Sequence, residues 1–416
     1  MNLEISIPFL HGTWNAPASK SELIRAIALA MQCEQTSILK NTSYSTDVWT
    51  MLHIAETWGA KIKILPSSLE ITGCKEPLSN TYVCNESALC LRLLLPILAS
   101  HRGTFTLYAE GSLLTRPVGE LESIITILGG TIETNHGYPP VTIIRPIHSG
   151  IVTVQQPISS QGISGLLMAL PLLKGDSQIY IQQPVSIPYL QLSLKFLNMA
   201  GIKIHEDKTF SSFIIPGEQV IQPLNVSVEG DWSSASLIMV AATISGNVNF
   251  QNLNMDSLQP DKHIVDFLSL HKSKTLHIKS SRKWQGIEAD ITHCPDLFPA
   301  LVLWASHAHS SSKIQGIHRL SYKESNRQQT FMQEFGKLGT AFNVENDTLY
   351  IHPSTTFNAA IIDSHNDHRL AMACALAATG TRQKVIIQHA ECVSKSYSSF
   401  WDDIKCLGAN MVVTEK

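Results

Sequence analysis

Between Arg319 and Arg327 the chain reads Arg-Leu-Ser-Tyr-Lys-Glu-Ser-Asn-Arg, which sets two cations, Lys323 and Arg327, around the carboxylate Glu324. Ser325 followed three residues on by Gln328 has the form of a capping box, and Phe331, Met332, Phe335 and Leu338 continue at helical spacing up to Gly339. A helix is therefore predicted to start near Ser325. Its free N–H groups and positive dipole end, beside those charges, suit a site that holds a phosphate or carboxylate while a proton moves. Taken alone, the segment reads more simply as a solvated ion pair at a helix start, which is worth little.

The arrangement recurs. Pro17-Ala18-Ser19-Lys20-Ser21-Glu22 holds a second capping box, Ser19 with Glu22, and places Lys20 and Ser21 at a helix start with Arg25 one turn further in. Asn85-Glu86-Ser87-Ala88 leads to Arg92, and Thr115-Arg116-Pro117 is expected to open a helix with proline first. Ser159, Ser160 and Gln161 offer two hydroxyls and an amide, Ser186 and Tyr189 a hydroxyl and a phenol. The second half adds Cys294-Pro295-Asp296, His365 to Arg369, and Ser394-Lys395-Ser396. Singly, each has a structural reading: Asp296 as a plain cap, Ser159 and Ser160 as turn formers, Lys395 as a solvated charge. Jointly, Lys20, Arg25, Arg92, Arg116, Lys323, Arg327, Arg369 and Lys395 repel one another unless an anion unites them. A strongly anionic ligand is implied, with Asp296, Glu324, Lys20 and Lys395 as the proton-transfer candidates.

These helix starts belong to a repeat. A helix end running into a strand appears at Trp58-Gly59-Ala60, Leu128-Gly129-Gly130, Ala200-Gly201-Ile202, Leu338-Gly339-Thr340 and Leu407-Gly408-Ala409, with a degenerate copy at His271 to Thr275. Successive copies, keyed on residues 59, 129, 201, 272, 339 and 408, stand 67 to 72 residues apart. Each glycine supplies a left-handed cap and each following alternation a half-buried strand. Helix starts are predicted near Asp47, Pro117, Tyr189, Lys262, Ser325 and Ser398, and earlier in each unit near Ser21, Ser87, Ser160, Ser234, Asp296 and His368. Six units of two helices and several short strands result, with a seam at Glu229-Gly230-Asp231. Three units on either side make two similar domains able to close on a ligand.

Composition narrows the class. With 416 residues and 44% hydrophobic content the chain exceeds one ordinary core, and 31 Lys+Arg against 34 Asp+Glu gives a net charge of -3. Nothing in that balance recruits nucleic acid or an anionic membrane. The eight cysteines show no zinc-type spacing and read as reduced, mostly buried thiols. His365 with His368 and His307 with His309 are close pairs without nearby cysteine, so no metal site is expected. The first residues alternate like a strand and do not form a signal peptide, and no apolar run is long enough to span a bilayer. A soluble cytoplasmic protein is expected.

Read in order, Pro17 to Arg25, Glu86-Ser87-Ala88 to Arg92, Arg116-Pro117, Ser159-Ser160-Gln161, Glu229-Gly230-Asp231 with Ser233 to Ser236, Pro295-Asp296, Lys323 to Arg327, Asn366 to Arg369, and Lys395 resemble the 3-phosphoshikimate 1-carboxyvinyltransferase (5-enolpyruvylshikimate-3-phosphate synthase) family over essentially the whole chain. The resemblance implies an α/β (α+β) fold of two similar domains, each of three β-α-β-α-β-β repeats, the inside-out α/β barrel of enolpyruvyl transferases. It implies domains of residues 18–229 and of 1–17 with 230–416, hinges near Ala18 and Gly230, and an active site in the cleft between them. The implied reaction moves the enolpyruvyl group of phosphoenolpyruvate to the 5-hydroxyl of shikimate 3-phosphate, releasing phosphate through a tetrahedral intermediate, in aromatic amino acid biosynthesis. No cofactor or metal is implied, and a monomer acting on small anionic substrates, without nucleic acid or membrane, is expected.

By the same resemblance Lys20, Ser21, Arg25, Ser159, Ser160, Gln161, Ser186, Tyr189, Asp296 and Lys323 form the shikimate 3-phosphate shell. Lys20, Ala88, Arg116, Gln161, Arg327, Arg369 and Lys395 form the phosphoenolpyruvate shell. Asp296 resembles the base on the attacking hydroxyl and Glu324 the proton donor to the methylene carbon. The substrates carry roughly five to six negative charges, taking each phosphate at about -1.5 to -2, which the eight cations offset. Departures from the family pattern are Ala18 and Ala88 for glycine, Asn326 for aspartate, Ser112 for a common arginine, and Arg319 at a variable position. The Ala88 methyl crowds a bulky inhibitor more than the substrate, so reduced sensitivity to glyphosate is predicted.

Two other readings make different predictions. The related enzyme acting on UDP-N-acetylglucosamine uses a loop cysteine and a Lys-Asn pair, whereas this chain has Lys20-Ser21 and no cysteine between Glu110 and Arg116. A sixfold-repeat DNA clamp would spread its cations along a ring interior and lack pocket carboxylates.

Overall fold

The computed structural model describes residues 1–155, 157–268, 276–280, 284–353 and 356–414. The chain divides into two compact units, Ala18–Val228 and Met1–Pro17 with Glu229–Lys416.

The helices of the first unit are α1 (Lys20–Ala30), α2 (Thr46–Trp58), α3 (Ala88–Ala99), α4 (Gly119–Ile127), α5 (Ser160–Ala169) and α6 (Ile187–Met199). Those of the second are α7 (Trp232–Ser245), α8 (Ile264–Phe267), α9 (Phe298–His307), α10 (Arg327–Lys337), α11 (His368–Leu376) and α12 (Phe400–Cys406). Helix α3 reads Ala-Leu-Cys-Leu-Arg-Leu-Leu-Leu-Pro-Ile-Leu-Ala and buries every residue. A helix apolar on all sides has no solvent face and must lie inside its unit. Helices α1 and α5 share that character and pack with α3, as α7, α9 and α11 pack with one another in the second unit. The other helices are one-sided: α10 buries Arg327, Phe331, Glu334 and Phe335 and leaves the rest toward solvent.

Six sheets surround these inner helices, three in each unit. Residues 81–145 show the scheme. Thr81–Val83 lies parallel to Phe105–Tyr108, with α3 between them in sequence, because a parallel pair needs a long crossover. Phe105–Tyr108 pairs antiparallel with Tyr138–Arg145, which forms a hairpin with Thr131–Asn135. The spatial order first, second, fourth, third recurs in the sheets built from residues 151–215 and 288–352. Strands distant in sequence complete other sheets. Asn225–Ser227 adds a parallel strand beside Ser37–Lys40, and Asn2–Ser6 lies antiparallel between Val385–Gln388 and Asn410–Thr414.

The expected cap glycines Gly59, Gly129, Gly201, Gly339 and Gly408 all take positive φ. The sixth copy, His271 to Thr275, lies outside the described residues. Three expected helix starts are corrected. Asn326, not Ser325, caps α10, accepting from the Gln329 N–H, because the Ser325 hydroxyl is drawn to Thr330 and Asp367. The Ser19–Glu22 box does not form, because Glu22 turns inward to an ion pair with Lys195 at 3.3 Å and Ser19 makes no capping bond. Pro117 precedes α4, which begins at Gly119, because the Val118 N–H is committed to the Gly137 carbonyl at 2.8 Å.

Six of the eight cysteines are buried, Cys74 is partly buried and Cys406 is exposed, all as free thiols. Among the described residues, no helix is long and apolar enough to cross a membrane, and no group of three or more His, Cys, Asp or Glu side chains is arranged to hold a metal ion.

Candidate active site

In the unit Ala18–Val228 the inner helices point their N-terminal ends toward shared polar partners. Lys20, first residue of α1, pairs with Asp47 of α2 at 2.8 Å, and the Cys90 thiol of α3 donates to the Asp47 carbonyl. Arg25 is 1% exposed and donates to Ser193 Oγ at 2.8 Å, the Ser21 carbonyl at 2.8 Å and the Tyr189 carbonyl at 3.5 Å. Burial pulls its pKa down to about 10, against the attraction of Tyr189 and Glu22, so it stays charged at neutral pH. Arg92 reaches from α3 to Gln161 Oε1 at 3.1 Å and to the Pro117 carbonyl at 3.2 Å, joining the start of α5 to the segment that carries Arg116. Ser159 caps α5 by accepting from the Gln161 N–H. Ser186, in the left-handed region at φ 53°, immediately precedes α6, whose first turn carries Tyr189. Ala88 opens α3 and is buried, as is Arg116. Ser112 gives both its N–H and its hydroxyl to Glu86, so the position where the family often has arginine here closes a local loop.

In the other unit the charged groups converge on Asp296, which sits in the short Pro295–Leu297 turn before α9. Its Oδ1 lies 2.9 Å from Arg327 and 3.2 Å from Lys323, and its Oδ2 lies 3.6 Å from Arg369. Arg327, 1% exposed, also holds Glu324 at 2.6 Å and Asp367 at 2.8 Å. Burial would lower the Arg327 pKa, but Asp367, Glu324 and Asp296 outweigh it and hold it above the usual value. Burial would likewise raise Asp367, and Arg327 reverses that to hold the carboxyl below the usual range. Desolvation lowers Lys323, opposed by Asp296. Lys395 donates to the Asn366 carbonyl at 2.8 Å from the end of the turn Ala390–Lys395. Arg319 is buried and donates to the Thr292 carbonyl.

Among the singled-out residues the structure joins Arg25 to Ser21 and Tyr189 and Arg92 to Gln161 in one unit, and Asp296 to Lys323, Arg327 and Arg369, with Glu324 on Arg327, in the other. In the second unit the requirement for an anion to unite the cations is met by the protein itself, because Asp296 already touches three of them. Patterning placed Asp47 at a helix start and Asp367 within the Asn366 to Arg369 motif without giving either a charged partner, and it passed over Asp261. Asp367 carried a legible signal as an aspartate one residue before a helix, and it does cap α11 through the Arg369 N–H. The pairings of Asp47 and Asp261 carried none, since their partners are distant in the chain. Asp261 is 1% exposed, accepts from the Ser233 hydroxyl, and leaves its Oδ1 without a hydrogen-bond partner. Burial raises its pKa to about 7, against the attraction of Arg369 and helped by repulsion from Asp296.

This arrangement of six sheets around inner helices is the fold of the enolpyruvyl transferases. The EPSP synthase of Acinetobacter baumannii matches with a TM-score of 0.82 at 22% identity over 99% of this chain and 100% of that one. The enolpyruvyl transferase NikO of Streptomyces tendae matches at 0.80 with 17% identity, covering 99% and 98%. Sequence then narrows the class: the chain belongs to the EPSP synthase (3-phosphoshikimate 1-carboxyvinyltransferase) family, whose model matches residues 7–404. It is similar to the 3-phosphoshikimate 1-carboxyvinyltransferase of Clostridium novyi, 33% identical over 98% of this chain and 97% of that protein. The enzyme of that name from Clostridium acetobutylicum is 34% identical over 97% and 96%.

Proposed function

We propose that the protein transfers the enolpyruvyl group of phosphoenolpyruvate to the 5-hydroxyl of shikimate 3-phosphate and releases phosphate. The observation that carries this reading is the Asp296 carboxylate held among Lys323, Arg327 and Arg369, with Glu324 on the same arginine. Asp296 and Glu324 pair with cations that an incoming phosphate and carboxylate would claim through bidentate bonds. Drawing Arg327, Arg369 and Lys323 onto substrate strips Asp296 of its stabilising partners and raises its basicity as the hydroxyl arrives.

Asp296 then takes the 5-hydroxyl proton while that oxygen bonds the central carbon of phosphoenolpyruvate, and Glu324 gives a proton to the methylene carbon. Phosphate leaves the tetrahedral adduct as the new methyl group returns a proton, restoring the double bond. Lys20, Ser21, Arg25, Ser159, Ser160, Gln161, Ser186 and Tyr189 hold shikimate 3-phosphate together with Lys323. Lys20, Ala88, Arg116, Gln161 and Lys395 hold phosphoenolpyruvate together with Arg327 and Arg369. The chemistry calls for no metal or cofactor. The protein acts as a cytoplasmic monomer and not on nucleic acid.

The test is phosphate release on incubation with both compounds. Wild type should release phosphate only when both are present, and Asp296→Ala and Lys20→Ala should each lower kcat/KM by at least about a hundredfold. Release from phosphoenolpyruvate alone, or a fully active Asp296→Ala variant, refutes the proposal. Ala88→Gly should increase inhibition by glyphosate, read as a lower inhibitory concentration.

A further inference from the structure

We propose that Ser193, acting with Ser164, is a positioning residue that holds Arg25 of α1 and the start of α5 in register for an anionic substrate. This rests on the reading of Arg25 and Ser160 as shikimate 3-phosphate ligands. Arg25 is a buried cation, and the donors of a buried cation must find acceptors. Its guanidinium has five N–H groups. Nε goes to Ser193, one N–H of a terminal nitrogen to the Ser21 carbonyl and one of the other to the Tyr189 carbonyl. One N–H on each terminal nitrogen is left for a ligand, and the angle at which this pair points is set by the Nε contact.

The direction of the remaining bonds follows from that contact. Nε can only donate, so Ser193 Oγ accepts from it and directs its own proton outward. Ser164 Oγ lies 2.8 Å away and the Tyr189 carbonyl 3.0 Å. Ser164 Oγ in turn donates to the Ser160 carbonyl at 3.0 Å. A chain of hydroxyls thus runs from Arg25 through Ser193 and Ser164 to the first turn of α5, and each bond polarises the next. Both serines are fully buried where α5 meets α6. Alanine would serve helix propensity better there and bury no polar atom. A serine could satisfy itself on its own preceding turn, but this pair also bridges two helices and ends on a cation.

The test compares Ser193→Ala, Ser164→Ala and the double variant with wild type, measuring kcat and KM for both substrates together with thermal unfolding. Ser193→Ala should raise KM for shikimate 3-phosphate about tenfold while kcat and KM for phosphoenolpyruvate stay within about twofold. Ser164→Ala should shift the same constant a few-fold, and adding it to Ser193→Ala should change little, because one chain of bonds is broken once. An unchanged KM for shikimate 3-phosphate in Ser193→Ala overturns the proposal. So does a fall in every kinetic constant in step with lost thermal stability. If Ser193→Ala does not fold, Ser164→Ala is judged by the same criteria. Wild type run in parallel separates the two ideas: no turnover by wild type refutes the transferase reading, whereas wild-type turnover with an unshifted KM in the variants refutes the relay alone.

Discussion

Asp296 and Asp261 belong to the same unit and have different surroundings. Asp296 is surrounded by three cations, whereas Asp261 is buried, faces repulsion from Asp296 and keeps its proton to about pH 7. An unfolded aspartate loses its proton near pH 4, so between those values the folded state binds more protons and stability falls as pH rises. Asp261→Asn keeps an acceptor for Ser233 and abolishes that titration. Its stability gain over wild type should grow from pH 5 to 7, reach roughly 1–3 kcal/mol, and level off above pH 7. Urea midpoints across that range measure it, and a gain independent of pH would contradict the burial argument. Asp367 is the counterpart on which Arg327 depends: Asp367→Ala should cost about 3–5 kcal/mol, read from the same midpoints, because it leaves a buried guanidinium short of its fully buried carboxylate partner.

At the scale of elements, the short stretch before α10 has divided tasks. Asn326 caps the helix, Ser325 ties it to Asp367 and Thr330, and Glu324 and Lys323 stand clear of the first turn to meet Arg327 and Asp296. The departure from aspartate at this position is therefore conservative, since asparagine and aspartate cap equally well. Asn326→Ala should lose about 1 kcal/mol of stability and Asn326→Asp almost nothing, measured by thermal unfolding. Equal losses would mean that the cap is not what this residue supplies. The inner helices illustrate the same division. Their apolar bodies build the core, while their N-terminal residues, such as Lys20, Ser160 and Arg369, carry the polar work.

On the scale of the whole molecule, the eight cations divide evenly, with Lys20, Arg25, Arg92 and Arg116 in Ala18–Val228 and Lys323, Arg327, Arg369 and Lys395 in the other unit. Under the proposed function each set offers its charges to an anionic substrate. Adding shikimate 3-phosphate with a phosphoenolpyruvate analogue should then raise the thermal unfolding temperature, because ligands that bind the folded state stabilise it. The half-saturating concentration should rise with salt, because screening acts on the steering charges. An unfolding temperature unchanged at high concentrations of both would count against their binding.

Residue order alone carried the repeat and the left-handed glycine caps, because a cap is decided by contacts within a few positions. It also carried the family, since the spacing of its motifs survives along the chain. It misplaced the α10 cap by one residue and read Glu22 as a capping partner, because in both places a distant side chain outbid the local bond. Only the tertiary structure decided which charges meet. Asp296 lies 27 residues from Lys323, 31 from Arg327 and 73 from Arg369 in the chain, and Ser193 lies 168 from Arg25. Pairings over such separations depend on how helices and sheets stack, and on burial strong enough to make an unpaired charge costly.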